Sequence, residues 1–243
     1  VHNDRAGEVG KTLNVKDFDL ERLFKEEGVA ILHLSGLICA LSEETGEFCL
    51  ELVKTAKKYG TLISFDFNYR ASFWENREKE LRKIFSEIAS LSDIIIGNES
   101  DYMLCLGTKF QAVGRQEELS SVEHFKETVK QVKKLFPETT VFATNIREVK
   151  SADRHLWGCA MQYGNEFEFV EPKEIAIIDR IGGGDGFVGG LLYAIIKGFT
   201  PEEQIHFAWA SGVLASTFLT DYAQPDDEQQ IWNIWNRNTR IKR

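Results

Sequence analysis

The sequence predicts an α/β fold, a parallel sheet covered by helices, on two observations. Short apolar runs rich in β-branched residues alternate with longer amphipathic stretches, the order that strand–helix–strand crossovers produce. A chain of 243 residues with 43% hydrophobic content is also long enough to bury one full core. No internal repeat or linker interrupts it, so residues 1–243 read as a single domain.

Residues 1–20 are polar and broken by Gly7 and Gly10, a strand remnant followed by a loop. Val29 to Leu34 is a buried-type strand ending at Ser35-Gly36, with His33 a core or edge histidine. Ser42 caps a helix with Glu43 and Glu44 in its first turn; Phe48, Leu52 and Ala56 follow on one face, and Gly60 stops it. Thr61 to Phe67 is the next strand. Asp66, Asn68 and Arg70 follow its C-terminal end, where ligands gather in such sheets. Arg70 can grip a carboxylate or phosphate with two parallel N–H groups. Asn68 can hydrogen-bond a phosphate or hydroxyl, although an Asx turn is the plainer account of Asp66-x-Asn68.

Glu75 to Leu91 is a charge-rich amphipathic helix preceded by Trp74, a packing residue. Asp93 to Gly97 is a buried strand, and Asn98 opens a helix with acidic first-turn residues. Gln111 to Ser121 is a loop, Val122 to Phe136 a helix and Thr140 to Thr144 a strand. Beyond it, Arg147 and Glu148 read as an exposed ion pair. His155 to Gln162 and Glu166 to Val170 form a hairpin around Gly164. Pro201 to Phe218 is an apolar helix whose Ala208, Ala210, Ser211 and Gly212 allow close packing. The tail from Asp226 is helix-like, with Trp232 and Trp235 packing.

Between these elements lies the stretch with the most chemistry, Asp179 to Gly190. Glu174 to Ile178 reads as a strand ending at Asp179, and Phe187, Leu191, Leu192 and Ile195 as a helix from about Asp185 to Gly198. Gly182, Gly183 and Gly184 leave the backbone open between them, so their N–H groups and the helix dipole form a site for an anion such as a phosphate. Asp185 would be held ionised there and can take the proton of a hydroxyl that attacks phosphorus. A tight turn with Asp185 as helix N-cap explains the same residues. Neither the P-loop nor the dinucleotide glycine spacing is present, which disfavours a Rossmann oxidoreductase.

Composition excludes other classes. A net charge of −9 argues against nucleic acid or an anionic membrane as partner. Cys39, Cys49, Cys105 and Cys159 are scattered without a C-x-x-C pair, as suits reduced thiols in a cytosol. No signal-peptide pattern or membrane-length apolar run is present, so the expected location is cytoplasmic.

Asp179-Arg180-Ile181-Gly182-Gly183-Gly184-Asp185, followed by Phe187 and Gly189-Gly190, resembles the C-terminal signature of the ribokinase (PfkB) family of sugar kinases. Asp66-Phe67-Asn68-Tyr69-Arg70 followed by Trp74 resembles the D-x-N-Y-R-x-x-L-W stretch of its 2-keto-3-deoxygluconate kinases. The resemblance runs from Arg5 to about Asp221. It implies a ribokinase-like three-layer α/β/α sandwich, with the N-terminal portion and most of the lid ahead of Val1 missing. The implied reaction is ATP-dependent phosphorylation of a sugar-acid hydroxyl, with Mg²⁺ on the ATP phosphates. Asp185 is then the base and Gly182, Gly183 and Gly184 the anion hole. Arg5, Arg70 and Asp221 face the sugar acid together with Asp185, and Arg70 bridges its carboxylate and the transferring phosphate. Asn68, Asn98, Thr144, Arg147, Gly182 and Gly184 join Arg70 on ATP. Asp101 stands where the family has the Glu of an N-x-x-E element and acts on the metal through water. Relatives with T-x-R-E followed by S-A support Arg147, since Ser151-Ala152 follows here. The partners are thus a small sugar acid and ATP, and assembly with further copies of the chain is compatible with the pattern. The alternatives are another sugar kinase of the family, such as a fructokinase, and a non-catalytic nucleotide- or sugar-binding module.

Overall fold

The computed structural model describes residues 9–109 and 120–237; Arg5 and nearly all of the expected 111–121 loop lie outside them. The chain divides into two compact units, Val1–Val113 with Thr128–Phe142, and Gly114–Glu127 with Ala143–Arg243.

In the first unit, residues 9–17 make two 3-10 turns and Arg22–Glu26 a π-helical turn; the expected strand remnant ahead of them lies outside the described residues. Then come β1 (Ile31–Ser35), α1 (Gly36–Ala40), α2 (Glu43–Lys58), β2 (Leu62–Asp66), α3 (Ala71–Trp74), α4 (Glu78–Ser90), β3 (Ile94–Ile96) and α5 (Glu99–Leu106). β1 and β2 run parallel from Ile31 opposite Leu62 to Ser35 opposite Asp66, and β2 and β3 run parallel through Asp66 opposite Ile96. The expected Ser42 cap forms, with its Oγ accepting from Thr45 N–H at 3.2 Å. Aromatic rings fill the core: Phe65 meets Phe85 at 5.2 Å, and Trp74 meets Phe85 at 4.9 Å between centroids. Such edge-on contacts add roughly 0.5–1.5 kcal/mol each beyond area burial. They fix the end of β2, from which Asn68 and Arg70 emerge.

α6 (Ser121–Leu135) and β4 (Val141–Val149) contribute residues to both units. The second unit goes on through β5 (Arg154–Tyr163), β6 (Glu166–Ala176), α7 (Gly183–Ile196), α8 (Pro201–Ala215) and α9 (Glu228–Trp235). β5 and β6 pair antiparallel from Tyr163 opposite Glu166 to Arg154 opposite Ala176, with a register shift between Trp157 and Cys159. The pairings are thus parallel among β1, β2 and β3 and antiparallel between β5 and β6. Two strands come out longer than the sequence suggests. β4 does not stop at Thr144, because it turns back at Lys150, whose N–H donates to Arg154 O at 3.0 Å. Residues 166–170 and 174–176 belong to one strand, since the ladder resumes beyond the irregularity beside Pro172. There Gly158 is required, because a Cβ would stand 2.5 Å from Val170 O and 2.8 Å from Pro172 N.

α7 and α8 approach closely through small residues. A Cβ on Gly190 would lie 2.6 Å from Ser211 Cβ, and one on Gly186 would lie 2.8 Å from Ala215 Cβ. Thr200 caps α8 in a capping box with Glu203, and Pro201 occupies its first turn. Trp232 packs on Phe207 at 5.2 Å and Trp235 on Trp209 at 5.7 Å, the packing roles expected of them. All four cysteines are free and buried. Among the described residues, no helix is long and apolar enough to cross a membrane.

Candidate active site

The glycine stretch opens α7 in a way its sequence leaves undecided. The helix begins at Gly183, and its N-cap is Gly182, in the left-handed region at φ +78°, so Asp185 is not the cap but a first-turn residue. Upstream, Asp179 Oδ1 accepts from Ile181 N–H at 3.0 Å and closes the turn that aims the chain into the helix. The three glycines have different reasons. A Cβ on Gly182 would overlap the Asp221 carbonyl, and one on Gly183 would stand 2.5 Å from Trp157 Cη2 and 2.8 Å from Ser216 Oγ. Nothing lies within 4 Å of the Cβ position of Gly184, so that side of the turn is open. With no side-chain cap on the helix, its first N–H groups and the positive end of its dipole are left for an anion.

Asp185 is exposed, and among the described residues its carboxylate accepts no hydrogen bond. With Asp221, Tyr193, Phe207 and Ser211 it lines a cavity of about 500 Å³. Gly182 and Asp221, expected on opposite sides of the reaction, are thus in backbone contact, and Asp221 and Asp185 share one cavity.

β4 and β5 build the neighbouring part of the second unit. Thr144 is buried, and its Oγ1 donates to Asn145 O at 3.3 Å. Trp157 is 1% exposed, and its Nε1–H donates to Asn145 Oδ1 at 3.0 Å. Arg147 does not pair with Glu148, which binds Lys150 instead; its guanidinium lies over the Trp157 ring, 5.7 Å from the centroid. Partial burial, and then the nearby Arg180, lower the Arg147 pKa from its ordinary value.

In the first unit the structure joins two separate motifs. Asn68, at φ +40°, donates its N–H to Asp66 Oδ1 at 3.2 Å, the Asx turn that the spacing suggested, and its Nδ2 to Ser35 Oγ at 2.9 Å. Tyr69 N–H donates to Asp101 Oδ1 at 3.3 Å, which ties the Asp66–Arg70 loop to the start of α5. Asp101 Oδ2 accepts from Asn98 N–H at 3.1 Å, and Asn98 Oδ1 from Asp101 N–H at 3.0 Å, a reciprocal capping box. Burial raises the Asp101 pKa against the pull of those two N–H groups and of Arg70. Arg70 is exposed, with Nη1 resting on its neighbour's carbonyl, Tyr69 O, at 2.8 Å. Trp157 and Ser35 are the residues of this architecture that the sequence did not single out; their one signal is proximity to motifs.

No group of three or more His, Cys, Asp or Glu side chains that could hold a metal occurs among the described residues. Residues 11–219 match the profile described as pfkB family carbohydrate kinase. A 2-dehydro-3-deoxygalactonokinase of Haloferax volcanii is 27% identical over 207 residues, which is 84% of this chain and 58% of that protein. Fructokinase-1 of Oryza sativa subsp. japonica is 29% identical over 196 residues, 77% of this chain and 53% of that one. The crystal structure of 2-dehydro-3-deoxygluconokinase from Thermotoga maritima superposes with a TM-score of 0.82 at 26% identity, covering 93% of this chain and 65% of that one. The chain thus spans a little over half the length of these curated relatives. Its fold is ribokinase-like. A match over residues 11–219, which takes in the glycine turn that opens α7, makes this protein a member of the pfkB family of carbohydrate kinases.

Proposed function

We propose that the protein phosphorylates a sugar-acid hydroxyl with ATP, taking 2-keto-3-deoxygluconate to its 6-phospho form. The observation that carries this reading is the glycine-led N-terminus of α7, without a side-chain cap, with the Asp185 carboxylate in its first turn accepting no hydrogen bond among the described residues. The residues fit a polyphosphate: N–H groups are unclaimed there, and the Gly184 side is open. Asp185 takes the proton of the attacking hydroxyl, while the N–H groups of the Gly182–Gly184 turn hold the charge that gathers on the phosphoryl oxygens. Arg147 and Thr144, with Asn68 and Asn98, serve the nucleotide. Arg70, Asp221 and, outside the described residues, Arg5 serve the sugar acid. Mg²⁺ would neutralise the triphosphate charge, and Asp101 would serve it through water.

The similarity to Fructokinase-1 favours a second reading, a kinase of neutral sugars. Assaying ADP release from ATP with 2-keto-3-deoxygluconate and with fructose separates the two. Turnover on the acid alone supports the proposal, and turnover on fructose alone replaces it. Nucleotide binding with no transfer to either would leave a binding module.

A further inference from the structure

We infer that Arg180 is a second ligand for the polyphosphate, paired with Arg147 on a platform that Trp157 builds beneath the glycine turn. The inference rests on the proposed reading that phosphates lie at Gly183 and Gly184, and adds a residue and an architecture to it.

Trp157 has three attachments. Its Nε1–H is fixed by Asn145 Oδ1 at 3.0 Å. One end of the ring abuts Gly183, where a Cβ would lie 2.5 Å from Cη2 and 3.0 Å from Cζ3. The Arg147 guanidinium covers the ring at 5.7 Å from its centroid. A cation is thereby held beside the open N–H groups of α7 by a buried, hydrogen-bonded ring. Arg180 stands two residues ahead of the Gly182 cap and is exposed. It lies near enough to Arg147 to depress that guanidinium's pKa.

Two features mark the pair as awaiting an anion. The chain carries a net charge of −9, yet neither arginine forms an ion pair with a described carboxylate. Both arginines act on a buried imidazole, His155, 3% exposed, whose Nδ1 has no partner among the described residues. Burial and then the fields of Arg147 and Arg180 lower its pKa, which favours the neutral imidazole over a third positive charge. Like charges that no described carboxylate pairs with favour a bound polyanion; a guanidinium is the donor suited to phosphate.

The test is calorimetric binding of inorganic tripolyphosphate and of ATP to the 243-residue chain, its Arg180→Gln and Arg180→Lys variants, and Arg147→Gln. Arg180 is exposed, so its variants should melt like the parent. Loss of one charge-assisted contact should weaken tripolyphosphate and ATP about tenfold or more in Arg180→Gln, with Arg180→Lys in between. Unchanged binding in Arg180→Gln while Arg147→Gln loses it overturns the inference and leaves the proposed function standing. If the parent chain binds neither ligand, the phosphate reading fails and the inference falls with it.

Discussion

The Cα of Gly182 faces the main-chain carbonyl of Asp221 so closely that no side chain fits between them. The cap of α7 and the segment that follows α8 are therefore one packed unit, and a residue expected to touch substrate is anchored by the backbone of the glycine turn. Gly182→Ala meets two penalties, the left-handed φ of +78° and the overlap with Asp221. The first alone costs about 1–2 kcal/mol, and a total loss above about 2 kcal/mol in denaturant unfolding is expected. Gly184→Ala, with open space at its Cβ, should stay within about 1 kcal/mol of the parent. Equal losses at both positions would mean that the turn is not organised around Asp221.

Asp185→Asn should leave the fold and nucleotide affinity nearly intact, because the carboxylate is exposed and holds no hydrogen bond among the described residues. An amide cannot take the hydroxyl proton, and loss of a general base typically costs about 100- to 10,000-fold. Phosphoryl transfer is measured beside ATP binding. A variant that keeps a tenth of the parent rate removes Asp185 from the chemistry.

The fold was legible where local signals agree with tertiary structure. Ser42, Asn98 and Thr200 each stand before a helix with a partner three residues on, and the boundaries follow from those caps. β1, β2 and β3 are short apolar runs because parallel strands are covered on both faces. The second unit was less legible because antiparallel pairing, not composition, sets its strand lengths. Lys173 and Glu174 look like the end of one element and the start of another, yet they pair with Trp157 and Leu156 in a continuing ladder. The cap of α7 was hidden for a related reason. An Asp at the head of a helix reads as an N-cap, and only the left-handed Gly182 moves the start of the helix upstream. Trp157 was not singled out, since its neighbours Arg147 and Gly183 are brought to it by packing.

Asn98 and Asp101 cap α5 reciprocally, so a role on nucleotide has to be separated from a role in stability. Asn98→Ala should cost about 1 kcal/mol, within the range for an N-cap, whereas Asn98→Asp preserves the cap. A weaker affinity for ATP in both variants, measured at equal folded fraction, supports a nucleotide contact. Weakening in Asn98→Ala alone reduces the pair to a cap.

His155 gives the molecule a predicted acid sensitivity. Its folded pKa is lowered below 6.5 by burial and then by Arg147 and Arg180. The unfolded chain consequently takes up this proton first as the pH falls through 6.5, and stability declines from there toward the folded pKa. His206 is also lowered by burial and is present in every comparison, so its share cancels. His155→Phe, which also removes the unpartnered Nδ1, should lose less stability than the parent between about pH 7 and pH 5. Parallel pH profiles for the two proteins would show that the imidazole is not held neutral by its surroundings.

Arg70 decides between the two substrate readings. In the present structure its guanidinium is exposed and rests on Tyr69 O at 2.8 Å, with Asp101 the acidic group near enough to feel it. It is thus free to swing onto a ligand without breaking a buried pair. Lysine keeps the charge but has one point donor in place of the planar fork, so Arg70→Lys should bind a carboxylate less well while changing stability little. Loss of a charge-assisted contact is worth about 1.5–3 kcal/mol, or roughly 10- to 150-fold in kcat/KM. How the loss divides is informative, because a contact present in both ground and transition states raises KM, whereas one to the moving phosphoryl group lowers kcat. The variant is run on 2-keto-3-deoxygluconate and on a neutral sugar that the parent also accepts. A loss confined to the acid, carried by KM, identifies Arg70 as the carboxylate ligand. An equal loss on both, carried by kcat, makes it a phosphate ligand and moves the assignment toward a neutral-sugar kinase.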